Sequence, residues 1–310
     1  IFLKRKKKIL DIQGSNLKKI NIRTDTSFFL GVEAQKRNYD IYYYEPKDLS
    51  FVNGKIIARC TNVKFKYNSK KPIKILKSST LNLIKAKLLL IRNEPPFNQQ
   101  FINTTFILEH ISKKIKIIND PKALREVPEK LFSLHLIKFM PNTLISEDLR
   151  EIKKFFDKNK KVVIKPIESY SGNDVRLLNK FNRAQVVRYI KKYRHLMFQK
   201  FIPQISKGDK RVFIINGKVK GAISRLPKKG SILSNMSKGA SAKKIKITNQ
   251  ELQISKFVAS ELKKKNIYFA GIDFIKGKLI GDINVTSPTG LKTYYDLTRI
   301  NLAEYFFDNI

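Results

Sequence analysis

Short apolar runs alternate with amphipathic stretches through the first third of the chain. Lys7–Ile12 sets Ile9, Leu10 and Ile12 in a run that predicts a strand. Thr24-Asp25-Thr26-Ser27 then offers capping oxygens for a helix that turns Phe28, Phe29 and Val32 toward a core. Ile41–Tyr44 predicts the next strand, and Val52-Asn53-Gly54-Lys55-Ile56 reads as a hairpin turn of the Asn-Gly type. The apolar run Leu88–Ile91, closed by Lys87 and Arg92, predicts a buried strand. A helix near Gln99–His110 and a short strand at Ile115–Ile118 follow. Strands separated by helices imply an open, mainly parallel sheet.

The pattern changes near residues 120–130, where Pro121 and Pro128 bracket a short helical piece and mark a boundary. Lys161–Lys165 predicts a strand running into Pro166 and a polar loop. A helix near Asn182–Lys191 and a strand at Leu196–Gln199 come next. Arg211–Ile215, the Asn216-Gly217 turn and Lys218–Ser224 form a hairpin. Thr248 with Glu251 is a capping box opening a helix whose stripe is Ile254, Val258 and Leu262. Phe269–Ile275 and Leu279–Ile283 read as paired strands joined at Lys276-Gly277-Lys278. Between the hairpins, Pro227–Lys244 is rich in Lys, Ser and Gly and lacks any period, as a lid or a locally disordered stretch does.

Composition narrows the classes. With 310 residues the chain can bury one large core or two to three modest ones. No apolar run approaches the roughly 18 residues of a membrane helix. The basic start Lys4-Arg5-Lys6-Lys7-Lys8 is followed only by Ile9-Leu10 before Asp11, which is not a signal peptide. Cys60 is the sole cysteine, so neither an intrachain disulfide nor a thiolate zinc cluster can form. His110, His135 and His195 lack metal-ligand spacing, and a reducing cytoplasm fits this usage. The formal net charge of +39 raises nucleic acid as a partner. Lysines nevertheless occur in nearly every segment with no basic tail set apart, and the aromatics sit in apolar runs rather than in stacking motifs. The charge therefore reads as codon bias toward Lys, Ile and Asn combined with affinity for an anionic ligand, not as a nucleic-acid site.

Three groups carry candidate chemistry. Asp273 in Gly271–Ile275 faces Asp282 and Asn284 on a paired strand, a set of hard oxygen ligands suited to magnesium. Spacing alone equally allows a solvated acidic pair in a hairpin. Lys165 ends an apolar strand and meets a loop containing Ser169, Ser171 and Gly172, whose backbone amides can face an anion; Lys130 is a second candidate phosphate binder. Either lysine, taken alone, also reads as a solvated surface charge. Gly208-Asp209-Lys210-Arg211 precedes an apolar strand, and Arg211 offers a fork for a phosphoryl oxygen.

The order of these stretches resembles the ATP-grasp superfamily, and within it the prokaryotic glutathione synthetases. The residues carrying the resemblance are Ile20–Phe28, Ile91-Arg92-Asn93-Glu94-Pro95-Pro96-Phe97, Glu129-Lys130-Leu131-Phe132, Ile164-Lys165-Pro166, Gly208–Arg211 and Asp282–Gly290. They span nearly the whole chain. The resemblance implies an α/β fold, α+β in its C-terminal part, in which an open parallel-type sheet domain precedes a two-part ATP-grasp fold. Residues 1–125 would form the substrate domain, 126–198 a lid subdomain and 199–310 the C-terminal subdomain with a metal site. It implies an ATP-dependent carboxylate–amine ligase. ATP phosphorylates the C-terminal carboxylate of γ-glutamylcysteine, and glycine's amine then displaces phosphate. Magnesium or manganese, small-molecule substrates and a homo-oligomer follow from the same likeness, with no membrane.

Roles carry over by position. Lys130, Lys165 and the Ser171-Gly172 loop would hold phosphates, Gln199 and the hinge Lys200-Phe201-Ile202 would meet adenine, and Asp209 the ribose. Arg211 and Arg225 would act on the transferring phosphoryl group, while Arg92 pairs with a substrate carboxylate. Ser287 and Thr289 would line the acceptor end, with Asp273, Asp282 and Asn284 on the metal. Three stretches depart from the family pattern. Ile167–Asp174 keeps a single glycine where a glycine-rich loop is usual, which makes close backbone approach to phosphate harder. Asp282 stands where Glu is usual, and Leu233-Ser234-Asn235 replaces Arg-Gly-Asn. A sister ligase with another acid or amine, and a non-catalytic nucleotide-binding paralogue, are the competing expectations.

Overall fold

The computed structural model describes residues 7–310, so the basic stretch Lys4-Arg5-Lys6 lies outside the described residues. The first part contains β1 (Lys8–Gln13), α1 (Thr26–Lys36), β2 (Tyr39–Tyr44), β3 (Leu49–Val52), β4 (Lys55–Phe65), β5 (Ile73–Asn82), β6 (Leu88–Ile91), α2 (Gln99–Glu109), β7 (Lys116–Ile118) and α3 (Pro121–Glu126). Asp25 caps α1, accepting from the Phe28 amide at 2.6 Å. Asn53 and Gly54 turn the β3–β4 hairpin with φ of 46° and 80°, the left-handed pair this tight turn requires.

Strands β2, β1, β6 and β7 are mutually parallel, as the strand–helix alternation implied. The sheet is nevertheless mixed, because β3, β4 and β5 add an antiparallel flank. β5 escaped the sequence reading for a physical reason. It is an edge strand with mostly exposed residues, so it shows none of the alternation that a half-buried strand carries.

The middle part comprises β8 (Thr143–Ser146), α4 (Leu149–Asn159), β9 (Val162–Pro166), β10 (Arg176–Leu178), α5 (Arg183–Tyr193) and β11 (Leu196–Lys200). Its antiparallel sheet runs β10-β9-β11-β8 over a separate small core of Ile152, Phe156, Val162, Ile164, Leu178, Val186, Leu196 and Phe198. Strand alternation does the positioning. Val162 and Ile164 enter that core, so Lys165 must face the opposite side.

The last part holds β12 (Asp209–Ile215), β13 (Lys218–Leu226), β14 (Ser241–Lys244), α6 (Asn249–Lys264), β15 (Phe269–Ile275), β16 (Lys278–Asn284), α7 (Leu291–Thr298) and α8 (Leu302–Asp308). The sheet order is β14-β13-β12-β15-β16. Both halves of the Thr248–Glu251 capping box form at the start of α6. The irregular stretch Pro227–Lys244 ends in β14, which pairs with β13, so it is partly sheet.

Two cores bind the first sheet to the last one. Phe213 and Ile215 pack with Leu10, Ile12 and Phe28 under α7 and α8, while Val212 and Ile214 belong to the core that holds Leu89, Phe101 and α6. Asn119 fastens the junction: its amide nitrogen donates to the Phe269 and Val285 carbonyls at 2.8 and 2.6 Å, and its oxygen accepts from the Tyr268 and Phe269 amides. A buried polar side chain with every bond made fixes geometry strongly. Among the described residues, no helix is long and apolar enough to cross a membrane.

Candidate active site

A cavity of about 530 Å³ opens where the three sheets meet, and all seventeen residues singled out from the sequence line it. Asp282 is the point on its wall where two ammonium groups converge. Lys130, just before a run of helical turns, and Lys165, on β9, approach this carboxylate from different parts of the fold, at 3.7 and 3.8 Å. Lys165 also donates to the Ile280 carbonyl at 2.6 Å, and Lys130 to the carbonyls of Ile167 and Ser169. Burial lowers the Lys165 pKa, and Asp282 pulls it back up. Two nearly buried ammonium groups beside one carboxylate leave excess positive charge for an anion.

Backbone conformation aims Asp282. Gly281 has φ of +83°, and a Cβ there would lie 3.0 Å from Met140 and 3.2 Å from Met197. Only glycine fits that position. Ile283 is fully buried, so Asp282 and Asn284 share the opposite face. The Asn284 amide nitrogen donates to the Gly271 carbonyl at 3.0 Å and lies 3.3 Å from Asp273.

Arginines surround the neighbouring carboxylates. Arg211 is bidentate to Asp273 at 2.8 and 2.7 Å, and Arg225 lies 3.0 Å from Asp273 while binding both oxygens of Asp209. Burial alone would raise the Asp273 carboxyl, but Arg211 and Arg225 outweigh it and hold it well below the usual carboxylate range. Ser234 donates to Asp209. Two buried carboxylates thus balance two buried guanidiniums, whose forks have a geometry that suits a phosphoryl group as well as a carboxylate.

A divalent cation fits part of this donor set. Asp282 and the free amide oxygen of Asn284 are hard oxygen ligands beside the lysines. Asp273 adjoins them, but both its oxygens are taken by guanidiniums. Among the described residues no group of three or more His, Cys, Asp or Glu lies together. Magnesium needs only one or two carboxylates when phosphate oxygens complete its shell.

The first sheet supplies the other end of the cavity. Arg92 follows β6 and is buried, donating to the Ser27 hydroxyl at 3.1 Å and the Pro288 carbonyl at 2.8 Å. Burial lowers its pKa to about 10, countered by Asp25, so it stays charged at neutral pH. The Ser287 hydroxyl donates to the Arg92 carbonyl at 3.1 Å, and the Thr289 hydroxyl meets Arg211 at 3.3 Å. Two loops cover the far side. Asn235 packs against Gly172, and Lys238 donates to Asn173 at 2.7 Å. Glu129, Asp25, Tyr43 and Ser234 also line the cavity, though the sequence reading gave them no site role. Glu129 and Asp25 both lie in stretches that carry the family resemblance, which was the signal that could have found them.

Fold and site together define an ATP-grasp ligase, an enzyme that activates a carboxylate with ATP between two α+β pieces. The family model for the prokaryotic glutathione synthetase N-terminal domain matches residues 10–125, and the model for the ATP-grasp domain of the same enzymes matches residues 129–299. The chain belongs to the prokaryotic glutathione synthetase family. A glutathione synthetase of Bradyrhizobium diazoefficiens is 35% identical over 309 residues, covering 96% of this chain and 96% of that protein. One from Buchnera aphidicola subsp. Schizaphis graminum is 32% identical over 99% of this chain and 98% of its own length. Among solved structures, the ATP-grasp ligase PsnB complexed with a phosphomimetic variant of its minimal precursor, Mg and ADP superposes with a TM-score of 0.63. That match has 13% identity and covers 98% of this chain and 97% of that one, so it bears on the fold alone.

Proposed function

We propose that this chain is a glutathione synthetase that joins γ-glutamylcysteine to glycine through an acyl phosphate. The observation that carries the reading is the meeting of Lys130, Lys165 and Asp282, next to Arg211, in a cavity that also contains Arg92 from the first sheet. A carboxylate is a poor electrophile at neutral pH, and phosphorylation turns one of its oxygens into part of a leaving group. What the protein must add is position and charge.

Lys130 and Lys165 hold the ATP phosphates as point charges, with the Ser171-Gly172 loop above them. Gln199 and Lys200-Phe201-Ile202 receive the adenine, and Asp209 the ribose once Arg225 turns to the phosphates. Arg211 steadies the moving phosphoryl group, Arg92 pairs with a carboxylate of the dipeptide, and Ser287 and Thr289 line the acceptor end. Asp282 and Asn284 hold magnesium or manganese, joined by Asp273 when Arg211 moves to the phosphoryl group. When bound, the cation supplies neutralisation of phosphate charge.

Residues 1–125 form the substrate domain in this reading, supported by a first sheet that ends at Ile118. The lid subdomain starts at 126. Because β11 runs to Lys200, the boundary expected at 198 shifts to the Phe201–Gly208 linker. The buried, solitary Cys60 suits a reducing cytoplasm, and a homo-oligomer remains part of the proposal. The test is ADP release by purified protein. Release should require γ-glutamylcysteine, and added glycine should yield one glutathione per ADP. Release independent of the dipeptide, or ATP binding without any release, contradicts the reading.

A further inference from the structure

Resting on the ligase reading above, we propose that Glu129 is the docking group for the ammonium of the acceptor amine. The cavity confronts that amine with an electrostatic problem. It is built to hold anions, yet the acceptor enters as a cation, so one carboxylate must be left to receive it.

Six carboxylates line the cavity: Asp25, Glu94, Glu129, Asp209, Asp273 and Asp282. Asp209 and Asp273 are held by Arg225 and Arg211. Asp282 is shared by Lys130 and Lys165. Asp25 caps α1 at the Arg92 end, and Glu94 is exposed at the rim. Glu129 is left.

Its two oxygens are used unequally. Oε1 accepts three hydrogen bonds, from the Val285 amide at 3.0 Å, the Thr286 amide at 3.1 Å and the Thr286 hydroxyl at 2.8 Å. The Glu129 carbonyl accepts from the Ile283 amide at 3.2 Å. Among the described residues, Oε2 has no hydrogen-bond or ion-pair partner, and the side chain borders the cavity. One oxygen thus fixes the carboxylate and the other is available to a ligand. The anchoring residues lie directly after Asn284 and before Ser287, which places the free oxygen between the metal strand and the acceptor end.

The chemistry balances with this group in place. The ammonium docks on Oε2, and nitrogen gives up a proton through Glu129 to solvent. The lone pair attacks the acyl carbon and the C–N bond forms. The C–O bond to phosphorus breaks, inorganic phosphate leaves with that electron pair, and the second nitrogen proton ends on phosphate.

Glu129→Gln tests this, since the amide oxygen can still accept all three donors while the charge is lost. Wild-type protein with ATP and γ-glutamylcysteine should use either glycine, a cation in solution, or hydroxylamine, which is neutral at physiological pH. In the variant, the KM for glycine should rise by about 10- to 100-fold, as for a lost hydrogen bond to a charged group. The ratio of glycine to hydroxylamine turnover should fall by about the same factor. Thr286→Val, which removes one anchoring donor and no charge, should leave that ratio near the wild-type value. Equal loss with both nucleophiles in Glu129→Gln, or the same selective loss in Thr286→Val, overturns ammonium docking and leaves a purely structural clamp. A wild-type protein that forms neither peptide nor hydroxamate overturns the ligase reading itself, and the docking role with it.

Discussion

Asp282→Asn should leave the fold intact and lower turnover by about two orders of magnitude or more, read as ADP release at saturating substrates. The side chain is 29% exposed, so its shape-preserving replacement puts little load on folding. Its charge is another matter. It is the carboxylate shared by Lys130 and Lys165, and within the proposed metal site it is the carboxylate that no guanidinium occupies. Neutralising it leaves the two ammonium groups uncompensated before ATP arrives and removes the charged ligand proposed for the cation. A metal ion supplies several kcal/mol of charge stabilisation in phosphoryl transfer, and each ~1.4 kcal/mol lost is tenfold in rate. Asp282→Glu, which lengthens the reach by one methylene, should keep or raise activity. Turnover within a few-fold of wild type in Asp282→Asn would remove Asp282 from the metal site.

Outside the cavity lining, Asp11→Asn should stabilise the protein, increasingly so as pH rises. Asp11 lies on β1 between Tyr42 of β2 and Leu89 of β6. It is 1% exposed, and neither carboxyl oxygen has a partner among the described residues. Burial alone pushes its pKa up to about 8. An unfolded Asp titrates near ~3.9, so between roughly pH 4 and 8 the folded state keeps a proton the unfolded state has released. Stability then falls with rising pH by about 1.4 kcal/mol per unit, flattening above the folded pKa. Asparagine stays neutral throughout. Unfolding free energies from urea titrations of the two proteins should nearly coincide near pH 4 and separate by about 3 kcal/mol or more at pH 8. A difference independent of pH would show that Asp11 is not the titrating group.

The parts of the site that were legible in the sequence are those set by local periodicity. The alternation Val162-Val163-Ile164-Lys165 sends Lys165 away from the core, and buried Ile283 does the same for Asp282 and Asn284 on either side of it. The Thr248–Glu251 box and the Asn-Gly turns were readable because their chemistry is complete within a few residues. Contacts between distant segments left no such trace. Nothing in the sequence foretells that Arg211 and Arg225 occupy Asp273 and Asp209, or that Ser234, inside a lysine-rich stretch, reaches Asp209. Asn119 was silent too, since its four hydrogen bonds reach three residues that lie 149 to 166 positions away. Edge strand β5 lacked alternation because so little of it is buried. The altered loop at Ile167–Asp174 also reads differently in three dimensions, for Gly172 and Asn173 meet Asn235 and Lys238 of the irregular stretch before β14.

The central claim is that phosphate departs from an acyl phosphate formed on the dipeptide, and an isotope measurement addresses it most directly. γ-Glutamylcysteine carrying heavy oxygen in its cysteinyl carboxylate is incubated with ATP, glycine and the protein, and the released phosphate is examined by mass spectrometry. One heavy oxygen per phosphate is the predicted result, since the C–O bond broken at ligation leaves that atom on phosphorus. Phosphate without label, released together with ADP, would contradict it and would mean that water, not the substrate carboxylate, receives the phosphoryl group in this cavity.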